Sequence, residues 1–453
     1  MNVMPFVHEG LGNSSYLVPL GDGAVAAVDP DRSIEKYLRS ADERERRIAA
    51  IFETHLHADF VTGSLELAAV TGASLFAAEA GAIRFPHKPL RSGEQVQLDR
   101  AAVAPVGSPG HTPEHLSYVF RWANQRPDAL FSGGSLIVGG AARTDLIAPD
   151  MTDELTRAEY RTLRSAFADL ADETLLYPTH GGGSFCSTGA GGDRTSTLGR
   201  ERATNPLLRF DNENDFAEWF TGTFPATPAY FAHMRAINQA GPRRRSEIAD
   251  PSRLGAERFR SAAEKALIVD TRPVADYLAG HIRGSFSDAF RPSFATWLGW
   301  LVPLGTPLLL VTNGTRLEDV IAECLLVGQE NFIGWLEGGI DAWREAGLPL
   351  ESVPVLDPDA AREAAEDGAT VLDVREPNEY EGGHIDAALH IPLGALPQQL
   401  DRVPRNRPLL TYCGVGERST TAASLLERAG FGPLLSLAGG FQAWERAGEK
   451  VSS

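Results

Sequence analysis

The sequence predicts an α/β multidomain protein: a mixed α/β N-terminal half followed by two copies of one parallel-sheet domain. Three observations carry this. The segment "LIVDTRPVADYLAGHIRGS" (267–285) recurs as "TVLDVREPNEYEGGHIDAA" (370–388), and "WLEGGIDAWREAGLPL" (335–350) recurs as "SLAGGFQAWERAGEKV" (436–451). The period, roughly 100 residues, is the size of a domain and too long for a solenoid repeat. Within each copy short apolar strands alternate with helical stretches, which predicts a parallel sheet covered on both faces. The 453-residue length also exceeds one ordinary core and suits two to four domains. The expected domains are 1–240, 255–350 and 357–453, separated by "QAGPRRRSEIADPSR" (239–253) and "LPLESVPVLDP" (348–358).

In the first half, "YLVPLGDGAVAAVDP" alternates apolar and turn residues as a hairpin does. "SIEKYLRSADERERRIAAIFETH" reads as a helix running into a buried strand that ends at histidines. "TDELTRAEYRTLRSAFADL" is an amphipathic helix with Thr152 as its expected cap. "ETLLYPTHGGG" is again a strand ending at a histidine. Each later copy opens with a strand ("ALIVD", "TVLDV"), passes a Gly-His-Ile turn, and reaches a second strand ("PLLLVT", "PLLTYC") that feeds a loop and a helix.

A net charge of −18 with no large basic block argues against nucleic acid as a partner; "RRR" at 243–245 reads as a solvated linker run. No apolar run is long enough for a membrane span, and "MNVMPFVHEG" does not resemble a secretory signal. The three cysteines, Cys186, Cys324 and Cys413, cannot build a disulfide framework, which fits a reducing, cytoplasmic setting. Oligomeric state is left open, a homo-oligomer included.

Metal chemistry is expected at "THLHADF" (54–60), "SPGHTPEH" and "YPTHGGG", where His55, His57, Asp59, His111 and His180 all follow apolar strands beside Gly or Pro turns. Imidazole with carboxylate suits zinc, iron or manganese. Cys186 lies in the Gly/Ser-rich "GGGSFCSTG", where a thiol could accept or relay sulfur. Cys413 in "LLTYCGVGERST" is delivered by a strand to a tight loop ahead of a helix. Loop amides of Gly414, Val415, Gly416 and Glu417, the helix N-terminus and the Arg418 charge all favour a nucleophilic thiolate there. Four residues separate Cys413 from Arg418. Copy one has Thr312 at the aligned position, in a loop one residue shorter, and no hydroxyl forms a persulfide. Cys324, on "LEDVIAECLLVG", is expected to be core packing.

T-H-x-H-x-D, then G-H-T-P, "FSGGSLIVGGAARTDL" and "YPTHGGG" resemble the metallo-β-lactamase superfamily over about 1–235, and within it the persulfide dioxygenases, with glyoxalase II hydrolases as relatives. The resemblance implies an αββα sandwich with metal at one sheet edge, His55 and His111 among its ligands, and Arg143 in "ARTDL" as a contact for an anionic thiol carrier. Two positions depart from the pattern. Phe60 replaces a histidine of the second metal, and Gly134 replaces the metal carboxylate. One Fe(II), a zinc held by His55, His57 and His111, or no metal all remain open. "DVREPNEYEGGHIDAALHIP", with Asp373, Arg375, Glu379, His384 and Ile385, and "GGFQAW" (439–444) resemble the rhodanese signatures.

The combined resemblance is to persulfide dioxygenases fused to two rhodanese domains, the first silent. It implies oxidation of a glutathione-like thiol persulfide with O2 to sulfite at one iron, and transfer of sulfane sulfur by Cys413 among persulfide, sulfite and thiosulfate. The alternatives are a sulfurtransferase with a non-oxidising N-terminal domain and a zinc thioester hydrolase of the glyoxalase II type.

Overall fold

The computed structural model describes residues 2–21, 23–123, 125–188 and 192–452. It divides into two compact units, one running to Ile248 and including Ala322–Gln329, the other holding the remainder.

Two six-stranded sheets face each other in the first unit. One runs Met4–His8, Asn13–Gly21, Ala24–Val28, Arg47–Phe52, Ser74–Ala78, Lys88–Leu90, in space as in sequence. Its first two pairings are antiparallel, including the expected hairpin, and the next three are parallel. The second sheet orders Ser196–Thr197, Leu175–Pro178, Gln125–Gly133, Leu116–Trp122, Ala101–Gly107, Val96–Leu98.

Successive strand residues point to opposite faces, so each sheet has an inner and an outer apolar set. Tyr16, Val18, Phe52 and Phe76 of the first sheet meet Val103, Tyr118, Phe120 and Phe131 of the second in one buried core. Leu17, Val25 and Ile51 turn outward onto Tyr37 and Leu67 of helices Glu35–Asp42 and Ser64–Thr71. Val119 and Leu130 turn outward onto Leu163 and Phe216 of helices Thr152–Ser165 and Glu213–Thr221. The layers are helix, sheet, sheet, helix, which is the αββα sandwich. Thr152 is the first helical residue rather than the cap: Pro149–Met151 forms a 3-10 turn that runs straight into the helix, so Met151 holds the cap position without a side-chain acceptor.

The second unit holds two five-stranded parallel sheets of the same topology. One orders Ser252–Leu254, Phe332–Leu336, Leu308–Val311, Leu267–Asp270, Phe286–Ser287. The other orders Val355–Leu356, Leu434–Leu437, Leu409–Tyr412, Thr370–Asp373, Leu389–His390. The repeated letters turn out to be repeated contacts. Arg272 and Arg375 each fork onto the aspartate two residues back and donate to Gly280 O and Gly383 O at 2.8 and 2.7 Å. His281 stacks on Tyr277 and His384 on Tyr380, with ring centroids 4.0 and 3.8 Å apart. The Asp-Arg-Gly-His signature therefore holds the turn after the first strand.

Asp288 is fully buried just after the edge strand Phe286–Ser287, and neither carboxylate oxygen has a hydrogen-bond partner. Burial pushes its pKa well above the usual carboxylate range, against the pull of Arg291. An acid whose folded pKa is raised binds its proton more tightly when folded, so stability falls as pH climbs from the unfolded to the folded value. Asp288→Asn removes that penalty. We expect it to raise stability at neutral pH by about 1–3 kcal/mol and to flatten the pH dependence, as denaturant unfolding at several pH values will read.

Candidate functional site

Histidines converge at one end of the αββα sandwich because four strand ends deliver them. His55, His57 and Asp59 follow Arg47–Phe52; His111 lies between Ala101–Gly107 and Leu116–Trp122; Gly134 follows Gln125–Gly133; His180 follows Leu175–Pro178. All four histidines and Asp59 are at most 3% exposed. Hydrogen bonds behind each ring decide which nitrogen faces the centre.

His111 Nδ1 lies 2.6 Å from the Arg143 carbonyl, which can only accept, so Nδ1 carries the proton and Nε2 a bare lone pair. His111 Nε2 is buried with no partner. His55 Nδ1 lies 2.8 Å from Thr54 Oγ1, whose own proton goes to Asp29 at 2.7 Å. The hydroxyl therefore accepts, and His55 Nε2 is bare. His180 Nδ1 faces Asn13 Oδ1 at 3.1 Å and Asp59 Oδ2 at 3.3 Å, both acceptors because the Asn13 amide donates to Asp59 at 2.8 Å. His180 Nε2 is bare as well. His55 Nε2 and His180 Nε2 then stand 3.2 Å apart with no proton between them. Two lone pairs at that distance repel unless a cation lies between them. The spacing is close to that of two nitrogens on one tetrahedral ion with bonds of about 2.0–2.1 Å.

Burial and the His57 charge hold the His55 pKa well below its ordinary value, and burial and His180 push His111 down to about 3. Both rings are neutral donors. His57 sets its Nε2 at 3.1 Å from Glu53 and 3.4 Å from Asp29, leaving Nδ1 buried and unpartnered. Burial opposes its charge, but Asp29 and Glu53 push its pKa up to about 10. Donor atoms of His55, His57 and His180 lie within 4.8 Å of one another, and so do those of His111, His180 and Cys186. The arrangement fits a metal ion: bare nitrogens converge, and a carbonyl, a hydroxyl or a carboxylate orients each ring from behind.

Several expected residues take other positions. Asp59 turns Oδ2 to His180 Nδ1 at 3.3 Å, behind that ring, and keeps Oδ1 buried without a hydrogen-bond partner. Burial works against its charge, but His180, His57 and the Asn13 amide hold its pKa below the carboxylate range. Arg143 does not present its guanidinium to an anion, which corrects the expected thiol-carrier contact. It is 2% exposed, forks onto Asp145 at 2.6 and 2.7 Å, and donates to the carbonyls of Phe185 and Pro225. Its contribution to the centre is the carbonyl that orients His111. Phe60 stacks on His57 with centroids 4.3 Å apart. At Gly134 a Cβ would lie 2.5 Å from His111 Cδ2, so the ring fills the space that a side chain needs.

The sequence reading missed His115. It stacks on His55 at 4.9 Å, contacts Ser108 through Nδ1 at 2.9 Å, and accepts the Gly134 N–H on Nε2 at 3.0 Å. That bond leaves it no lone pair for a metal. Its signal was the second histidine of "HTPEH". Asn13, Asp29 and Glu53 were missed too, because each lies outside the histidine motifs.

In the second unit, strand Leu409–Tyr412 delivers Cys413 to the head of helix Glu417–Arg428. Cys413 is 1% exposed, and its Sγ accepts the Gly416 N–H at 3.2 Å. The helix points its N-terminal partial charge at this loop. Arg418 forks onto Glu379 at 2.6 and 2.7 Å beside Gly414. Burial disfavours the Arg418 charge, but Glu379 and Cys413 raise its pKa above the ordinary value. Val415 is half exposed at the rim, and Glu417 pairs with Arg291 of the first repeat.

"GGFQAW" clamps the base of the loop: Phe441 and Gln442 donate to the carbonyls of Cys413 and Gly414 at 2.7 and 3.1 Å. Gly440 has φ +58, and a Cβ there would lie 2.4 Å from Cys413 O. Gly440→Ala should therefore destabilise the protein by about 1–3 kcal/mol, measured by thermal melting. It should also lower transfer activity in the fraction that stays folded.

The first repeat has no such cradle. Thr312 begins a loop whose helix starts only at Leu317, and Arg316, paired with Glu318, is 75% exposed. The path from strand to helix is therefore not one residue shorter than in the second repeat, as expected, but one residue longer, because the helix begins later. Cys324 is buried in that helix. Among the described residues no helix is long and apolar enough to cross a membrane.

The model of the rhodanese-like domain matches residues 256–346 and 357–447. A hydroxyacylglutathione hydrolase from Rhodospirillum rubrum is 30% identical over 245 residues, 49% of this chain and 92% of that protein. A sulfurtransferase from Allochromatium vinosum is 37% identical over 78 residues, 17% of this chain and 73% of that protein. A crystal structure of a metallo-beta-lactamase from Staphylococcus aureus superposes with a TM-score of 0.66 at 26% identity, covering 74% of this chain and 98% of that one. Two further curated relatives are spanned over only 60% and 47% of their own lengths.

Proposed function

The chain belongs to the metallo-β-lactamase-fold proteins, here fused to two rhodanese-like domains, and from that premise we propose that it is a sulfurtransferase that carries sulfane sulfur on Cys413. The observation that carries this is the Cys413 loop: a buried sulfur held by the Gly416 amide at a helix N-terminus, with Arg418 alongside. The Cys413 thiolate attacks the outer sulfur of thiosulfate or of a thiol persulfide. A sulfur–sulfur bond forms to Cys413, and sulfite or the thiol leaves with the electron pair of the broken bond. The loop amide and the helix terminus stabilise the terminal sulfur anion. Glu379 holds Arg418 in place by its two-point fork. A second nucleophile then takes the sulfur and restores the thiolate. Thr312 cannot run this cycle, and Thr312→Ala is expected to leave transfer unchanged in a steady-state thiosulfate assay.

The N-terminal domain, in the same proposal, holds one metal ion through His55, His111 and His180, with His57 Nδ1 facing the same centre, and acts on a glutathione-like thiol persulfide. Iron bound there would supply redox chemistry toward O2, and zinc would supply Lewis acidity. The chain's own residues fix the ring tautomers, bury the centre and keep the His55 and His111 imidazoles neutral. Phe60 gives the second metal of a two-metal hydrolase no ligand at that position, which weighs against thioester hydrolysis. The reading without oxidation is supported by Gly134, where no carboxylate stands. Metal analysis with O2 uptake on glutathione persulfide separates the two. Iron together with sulfite production supports oxidation, and their absence leaves the transferase alone.

A further inference from the structure

We propose that Cys186 is a metal ligand, its thiolate supplying the anionic donor that Gly134 does not. This rests on the reading that the histidine centre holds a metal. One ring nitrogen each of His111 and His180 and Cys186 Sγ lie within 4.8 Å of one another, and both His111 and Cys186 are fully buried. His111 Nε2 has no other partner, so it needs a ligand on this side.

The backbone fixes Cys186 where this requires. Arg143 N–H donates to Cys186 O at 2.7 Å, while Arg143 O accepts from His111 Nδ1 at 2.6 Å. One peptide segment thus ties the Cys186 loop to the His111 ring. Ser184 Oγ accepts the Cys186 N–H at 3.2 Å. A carboxylate cannot be supplied from position 134, because His111 Cδ2 lies 2.5 Å from where its Cβ would be.

A thiolate with imidazole nitrogens is a donor set for a borderline-soft divalent ion such as zinc or cobalt, in tetrahedral geometry. On binding, the thiol proton is released to solvent and a metal–sulfur bond forms, with no change of oxidation state. Cys186 in this role is unavailable as a sulfur acceptor while the metal is bound.

The test uses the full chain with Cys413→Ser, so that the nucleophilic thiol of the second repeat does not compete. Loaded with Co(II), it should absorb in the near ultraviolet through thiolate-to-cobalt charge transfer. Adding Cys186→Ser should remove that band and weaken cobalt binding by at least roughly 10-fold. Thermal melting in chelator should show both proteins equally folded. Cobalt bound without the band, or bound equally well by the Cys186→Ser protein, would overturn the assignment while leaving the histidine centre intact. No cobalt bound by either protein would overturn both the assignment and the metal reading.

Discussion

Cys413→Ser should abolish sulfur transfer from thiosulfate, lowering turnover by on the order of 10^4-fold or more, with the melting temperature unchanged. The effect should be this large because the loop has one function. A hydroxyl in place of the sulfur keeps the size of the buried side chain and its contact with the Gly416 amide, but it cannot form a persulfide. The loss should fall on turnover and not on folding. The loop is held from outside by Phe441, Gln442 and the hydroxyls of Ser419 and Thr420 on Gly416 O, none of which touches the sulfur. A variant that retained appreciable transfer would move the nucleophile elsewhere.

Gly134→Asp is the second large effect, and its sign opposes the simple expectation. Resemblance suggests that aspartate would restore a missing ligand. The structure predicts damage. The new Cβ would meet His111 Cδ2 at 2.5 Å and Ala142 Cβ at 3.0 Å, so the ring that carries an unpartnered Nε2 must move. Crowding of this kind typically costs about 1–3 kcal/mol, and shifting a ring out of line with its second-shell carbonyl should weaken metal binding by roughly 10–100-fold. Thermal melting and metal titration of the variant will read both. A gain in iron binding would mean that position 134 still accommodates a carboxylate.

Much of this architecture was legible in the sequence for physical reasons. The repeated strand–turn–strand text is repeated because Asp-Arg forks and Tyr-His stacks are rebuilt in both copies. The sandwich was legible through the resemblance that its histidine motifs carry; the strand and helix signals alone pointed only to a mixed α/β half. The orientation of the site was not readable. Nothing in "ARTDL" tells that the Arg143 guanidinium is spent on Asp145 while its carbonyl orients His111. Asn13 and Asp29 reach the centre only through tertiary packing, far from any histidine motif, and Glu53, one residue ahead of "THLHADF", carries no ligand pattern that singles it out. Gly134 was visible as a missing ligand, but the reason for the glycine, a ring packed against its Cα, needed coordinates.

The central claim is that sulfane sulfur rides on Cys413. Intact-mass analysis after brief incubation with thiosulfate, followed by peptide mapping under non-reducing conditions, tests it directly. The account predicts a protein heavier by one sulfur atom, with that sulfur on the peptide that contains Cys413. Sulfur found on Cys186 or Cys324, or no added sulfur at all, would contradict it.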